Sequence, residues 1–233
     1  MKQFKTKIYL LMIIVFFASC NKPAEHIEVS PELFHNAIDR VMEIQIHDIF
    51  SPPVASRIFV YPNIAAYEIL AQKSTKFKTL VGTLNKFESI PQADKSKDVN
   101  LELAAIIAHM EISKNLIFSE EKMSSLQDSL YVVWETTNKQ EFDQSKAYAF
   151  EVVDYMKIYM GKDNYNQTRT MSKFTVDTDD PSRWQPTPPS YMDGIEPHWN
   201  EIRPFLLDSA QQFKPEPHPE FSLKKGTKFY EEL

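Results

Sequence analysis

Apolar residues recur every three or four positions through the first two-thirds of the chain, the spacing of helices with one face turned inward. From Pro31 to about Phe50, Leu33, Phe34, Ala37, Ile38, Val41, Met42 and Ile49 make one such stripe. Ser30-Pro31 supplies an N-cap serine followed by proline at the first helical position. The run Ser51-Pro52-Pro53 is expected to end this helix. A second is predicted from about Ala55 to Gln72, kinked or divided at Pro62, which lacks an N–H and clashes with the preceding turn. Residues 74–97 are polar and loop-like, with a short apolar turn near Leu80. A third helix is expected from about Asp98 to Phe118. Its centre, Leu103 to Ala108, is apolar on every side, as in the buried helix of a bundle. Ser119 reads as the cap of a fourth helix that ends near Thr136, with Met123, Leu126, Leu130, Val133 and Trp134 inward. The run Thr137-Asn138-Lys139-Gln140 reads as a capping box for a fifth helix. That helix ends at Met160, with Gly161 in the position that favours glycine.

The prediction for residues 31–161 is therefore an all-α bundle of about five helices. After Gly161 the periodicity stops. Residues 162–219 read as an extended connector rich in proline and aromatic residues, with nine prolines between Pro181 and Pro219. Residues 220–233 read as the start of a further helix: Phe229, Tyr230 and Leu233 are apolar without a partner, so a second bundle is expected beyond them. No segment has strand period and no internal repeat is visible.

The first 19 residues have a different character. Lys2, Lys5 and Lys7 precede an apolar run from Ile8 to Phe17, too short to span a hydrocarbon core of about 30 Å as a helix. This is the form of a secretory signal peptide. Ala18-Ser19-Cys20 resembles a bacterial lipobox, with Phe17 where leucine is usual, and Cys20 is the chain's one cysteine. Cys20 is thus the expected lipidation site, residues 20–30 the tether, and the membrane a partner through that lipid. The expected location is the exported, membrane-anchored side of the cell envelope. Removal of the leader takes away three lysines and no acid, moving the net charge from −6 to −9.

Composition narrows the chemistry. Four glycines among 233 residues leave no glycine-rich phosphate loop, and no stripe of Lys and Arg offers a surface for nucleic acid. His35, Asp39, Glu43 and His47 recur every fourth residue and could in principle hold a metal. They lie opposite the apolar stripe, however, which favours a solvated polar face. His109 and Glu111 do not share a helix face, so His109 reads as a satisfied helix histidine. Asp177, Asp179 and Asp180 lack the spacing, glycine and distal glutamate of a calcium loop and read as turn and cap residues. Trp184, Tyr191, Trp199 and Phe205 are either a stacking platform for a glycan or plugs that fix an extended arm to a helical surface. The second reading is preferred.

Two stretches carry a family resemblance: "SPPVASRIFVYPNIAAYEIL" (51–70) and "DDPSRWQPTPPSYMDGIEPHWNEIRPFLLDSAQQFKPEPHPEFS" (179–222). They resemble bacterial vanadium-dependent haloperoxidase-like proteins, of the superfamily that includes type 2 phosphatidic acid phosphatases. The resemblance implies two helical bundles. It also implies a cage of Lys, Arg, Ser-Gly-His and a final His around vanadate or, in the phosphatases, phosphate. Those motifs have no counterpart here: the four glycines are followed by Thr83, Lys162, Ile195 and Thr227, never by His. No catalytic, cofactor-binding or metal residue is thereby assigned. The expectation is an N-terminal scaffold half whose partner is a C-terminal helical half in cis or another copy, with vanadate or phosphate bound only by such a second half. The alternative is a non-catalytic surface lipoprotein that binds a glycan, peptide or protein through its aromatic arm.

Overall fold

The computed structural model describes residues 24–233; Cys20 and the leader lie outside the described residues. Five long helices follow one another: α1 (Pro31–His47), α2 (Pro52–Ala71), α3 (Leu101–Lys114), α4 (Glu120–Thr137) and α5 (Lys139–Gly161). A four-residue helix α6 (Tyr165–Thr168), a 3-10 turn (Trp199–Glu201) and a terminal α7 (Lys228–Glu232) complete the described residues, among which there is no strand. The all-α expectation holds.

α3 is the centre, packed chiefly against α2 and α5 and also touching α1 and α4. Leu103, Ala104, Ala105, Ile106, Ile107 and Ala108 are all at most 1% exposed, so the helix that is apolar all round is the one surrounded by others. Helix starts follow their caps. Ser30 Oγ accepts from Leu33 N at 3.2 Å, and Asn100 Oδ1 accepts from Leu103 N at 3.0 Å. The cap before α5 lies one residue later than predicted, at Asn138, whose Oδ1 accepts from Glu141 N at 3.1 Å; the box is not closed, because the Asn138 N–H donates to Trp134 O. Ser119 is placed at the start of α4, but its hydroxyl instead donates to Asp48 Oδ1 at 2.5 Å, tying that start to the end of α1. Pro62 is buried and α2 runs unbroken through it.

Three inward assignments are corrected. Met42, Ile49 and Val133 are 45%, 88% and 57% exposed, while on α1 Ile44 and Gln45 are buried in place of the first two. α1 stops at His47, which turns Ile49 out of the stripe.

The stretch read as a tether is docked from Ile27 onward. Ile27 is buried; its N–H donates to Glu141 Oε2 at 2.9 Å and its carbonyl accepts from Asn100 Nδ2 at 2.8 Å. The loop from Gln72 to Asn100 is also fixed. Glu68 accepts from Thr79 Oγ1 at 2.8 Å, and Tyr155 OH bonds both backbone groups of Glu88. Phe87 and Ile90 enter the core.

Candidate functional site

Where α5 ends, the chain turns sharply and meets the connector. Gly161 closes the helix, and Asn164 adopts a left-handed φ of 75°, a conformation asparagine tolerates better than most residues. Between them Asp163 is driven inward and is 1% exposed. Its Oδ2 accepts from Arg57 Nε and from Tyr61 OH, each at 2.8 Å, and its Oδ1 accepts from Tyr165 N at 2.9 Å. Arg57 and Tyr61 lie four residues apart on α2 and so present to the same partner. Tyr165 covers the Arg57 guanidinium, 4.3 Å from its carbon to the ring centroid. Burial, followed by the adjacent carboxylate, pushes the Tyr61 phenol well above its ordinary value, so it remains a donor.

The connector is bonded onto this centre. Arg203 donates its backbone N–H to Asp163 O at 2.9 Å. Its guanidinium stacks on Tyr159, 3.9 Å from the centroid, and donates from Nη2 to Tyr159 O at 3.1 Å. Phe205 meets the edge of Tyr61 with centroids 5.2 Å apart. Asn85, from the long loop, donates its N–H to Phe205 O at 2.8 Å and its side-chain amide to Pro204 O at 2.9 Å. A second tie lies further up the connector. Glu196 pairs with Arg169 (Nη1 to Oε1, 3.0 Å) and accepts from Ser51 Oγ at 3.3 Å. The Arg169 guanidinium holds the Glu196 carboxyl below its ordinary value.

The four aromatic residues singled out from the sequence are not brought together. Trp199 and Phe205 pack against the bundle core. Trp184 packs edge-on to Phe174, centroids 5.6 Å apart, over Gly194, where a Cβ would come within 2.9 Å of the Phe174 ring. Tyr191 is 61% exposed. Two are plugs, one belongs to a cluster internal to the connector, and one points outward.

His35, Asp39, Glu43 and His47 are exposed on α1. Among the described residues no group of three or more His, Cys, Asp and Glu is placed to hold a metal, and no helix is long and apolar enough to cross a membrane. His109 is buried, but it is not the satisfied helix histidine expected. Its Nδ1 has no hydrogen-bond partner, and its ring lies 5.0 Å from that of Phe34. The arginines and Asp163 of the polar centre were not singled out from the sequence. The only signal was the pair Arg57/Tyr61 at helical spacing inside the family-like stretch.

The crystal structure of a protein described as the first bacterial vanadium-dependent iodoperoxidase superposes on this chain with a TM-score of 0.86 and is 61% identical in sequence. The match covers 90% of this chain and 51% of that one. The chain is similar to half of a vanadium-dependent haloperoxidase. The haloperoxidase-like fold and the expectation of a partial haloperoxidase-like scaffold both stand on this match. No protein-family model matches the chain, and no curated protein does.

The polar centre of the haloperoxidase-like chain does not suit vanadate. Arg57 is already neutralised by Asp163, and Arg169 by Glu196. A multiply charged oxyanion beside Arg57 and Arg203 would meet the Asp163 carboxylate, whose oxygens already accept from Arg57, Tyr61 and Tyr165 N. The centre joins connector to bundle.

Proposed function

We propose that this chain is the scaffold half of an exported haloperoxidase-like or phosphatase-like lipoprotein. In this reading the oxyanion chemistry, peroxide-dependent halide oxidation on vanadate or phosphoester hydrolysis, belongs to a second helical half reached through the connector. Lipidated Cys20 anchors the whole at the membrane. The observation that carries the reading is the 61% identity over 90% of this chain set against 51% coverage of the iodoperoxidase. A bundle whose outgoing arm is bonded in place by Arg203, Asn85 and Glu196 is the expected form of such a scaffold.

The test is the reading frame that follows the codon for Leu233, together with the intact mass of the native protein. A frame running on into Ser-Gly-His and Arg…His motifs, with a mass about double that of this chain, supports the proposal. Vanadate binding and iodide oxidation would then be measured on that product. A stop codon with a native mass matching lipidated residues 20–233 would exclude it.

A further inference from the structure

Beside the polar centre lies a cavity of about 440 Å³, within the range of about 300–1,000 Å³ typical of small-molecule sites. Its floor is Arg57, Asp163, Tyr61 and Arg203; Trp199 and Phe205 stand among its largely apolar walls. The charges on the floor do not cancel. Asp163 is the one carboxylate, and its Oδ2 is occupied by Arg57 Nε and Tyr61 OH. Among the described residues, no carboxylate lies within 4.0 Å of the Arg203 guanidinium; its Nη2 donates to Tyr159 O at 3.1 Å, while its Nη1 has no protein acceptor. Tyr61 stays neutral, so the floor carries one surplus positive charge. A half-buried cation lacking a counter-charge is left partly desolvated and uncompensated until an anion meets it.

We propose that this cavity binds a small organic monoanion: one carboxylate, seated on Arg203, with an aromatic or short apolar body lying between Trp199 and Phe205. The surplus of one charge is matched by a monoanion and would leave a dianion uncompensated. The apolar walls and the volume select an organic body over a bare halide. All residues that line the site belong to this chain.

Benzoate is the probe, titrated calorimetrically into the purified chain, with the neutral isostere benzamide and with sodium iodide as competitor. Benzoate is expected to bind at least about tenfold more tightly than benzamide, as befits a hydrogen bond to a charged group. R203Q is expected to lose that preference, with its helical circular dichroism retained. Ala210→Phe, at the cavity's exposed margin, is expected to abolish binding while leaving the Arg203 bonds in place, and serves as the second variant should R203Q not fold. Equal binding of benzoate and benzamide, or binding unchanged in Ala210→Phe, would overturn the proposal. Displacement of benzoate by equimolar iodide would overturn its organic part, reducing the site to a halide site.

Discussion

Arg203 reaches Asp163 through its backbone: the N–H of the connector residue donates to the carbonyl oxygen at 2.9 Å. The same Asp163 takes Arg57 and Tyr61 on its carboxylate. One buried acid thus closes the end of α5, pairs α2 and receives the connector. Its removal should therefore weaken the bundle and loosen the connector on it.

For Asp163→Ala the expected loss is about 3–5 kcal/mol of unfolding free energy, because Arg57 is left as an uncompensated buried charge. Urea unfolding measures it. Limited proteolysis should show new cleavage between residues 172 and 205, with the 31–161 fragment persisting longest. A loss under about 1 kcal/mol would mean that Arg57 finds another partner or water, and the central role given to Asp163 would fall.

The bundle was legible where cap and periodicity agree: Ser30 and the all-apolar run at 103–108 each did locally what the fold needed globally, whereas the Asn100 cap of α3 was not read. The polar centre was not. Asp163 lies 102 residues from Tyr61 and 106 from Arg57, and no local pattern marks such a pairing. The aromatic arm was legible as a feature and not as an arrangement. Trp199 and Trp184 look alike in sequence, yet one plugs the bundle and the other packs on Phe174. Only the neighbours brought by folding distinguish them.

The docked segment before α1 yields a second prediction. Ile27 is 2% exposed and both of its backbone groups are bonded, to Glu141 and Asn100. Ile27→Ala should cost about 2–4 kcal/mol through lost burial and the cavity left behind. Amides of residues 26–28 should exchange with solvent faster, as hydrogen-exchange mass spectrometry would reveal. A freely moving tether would show no change in either measurement.

His109 predicts a pH dependence. Burial lowers its pKa from 6.5 to about 4. The unfolded chain takes up a proton near pH 6.5 and the folded chain resists until about pH 4, so stability is full above 6.5 and falls as the pH drops through that window. The loss over those 2.5 units approaches about 3 kcal/mol. Urea midpoints measured between pH 7 and 4.5 should decline in the wild type. His109→Leu should flatten that decline. A decline of equal size in the variant would place it on other groups.

Ile49 carries the last prediction. At the end of α1 the N–H of Phe50 bonds Gln45 O at 3.1 Å and the N–H of Ile49 bonds Ile46 O at 3.3 Å. Those two bonds are the Schellman closure of a helix, and the residue between them must adopt a left-handed conformation. Glycine or asparagine usually stands there; here a β-branched residue is held at φ 56°. Nothing at position 49 signalled a helix stop, and for that reason the sequence reading carried α1 on to Phe50. The Ile49 side chain is 88% exposed and contributes little burial. Ile49→Gly relieves a strain of about 1–3 kcal/mol and restores about 0.5–1 kcal/mol of unfolded-chain entropy, so the net expectation is about 1 kcal/mol of stabilisation. A rise in the urea midpoint with an unchanged slope would confirm it. A lower midpoint would mean that the exposed isoleucine is held by contacts of its own, and the strain argument would fail.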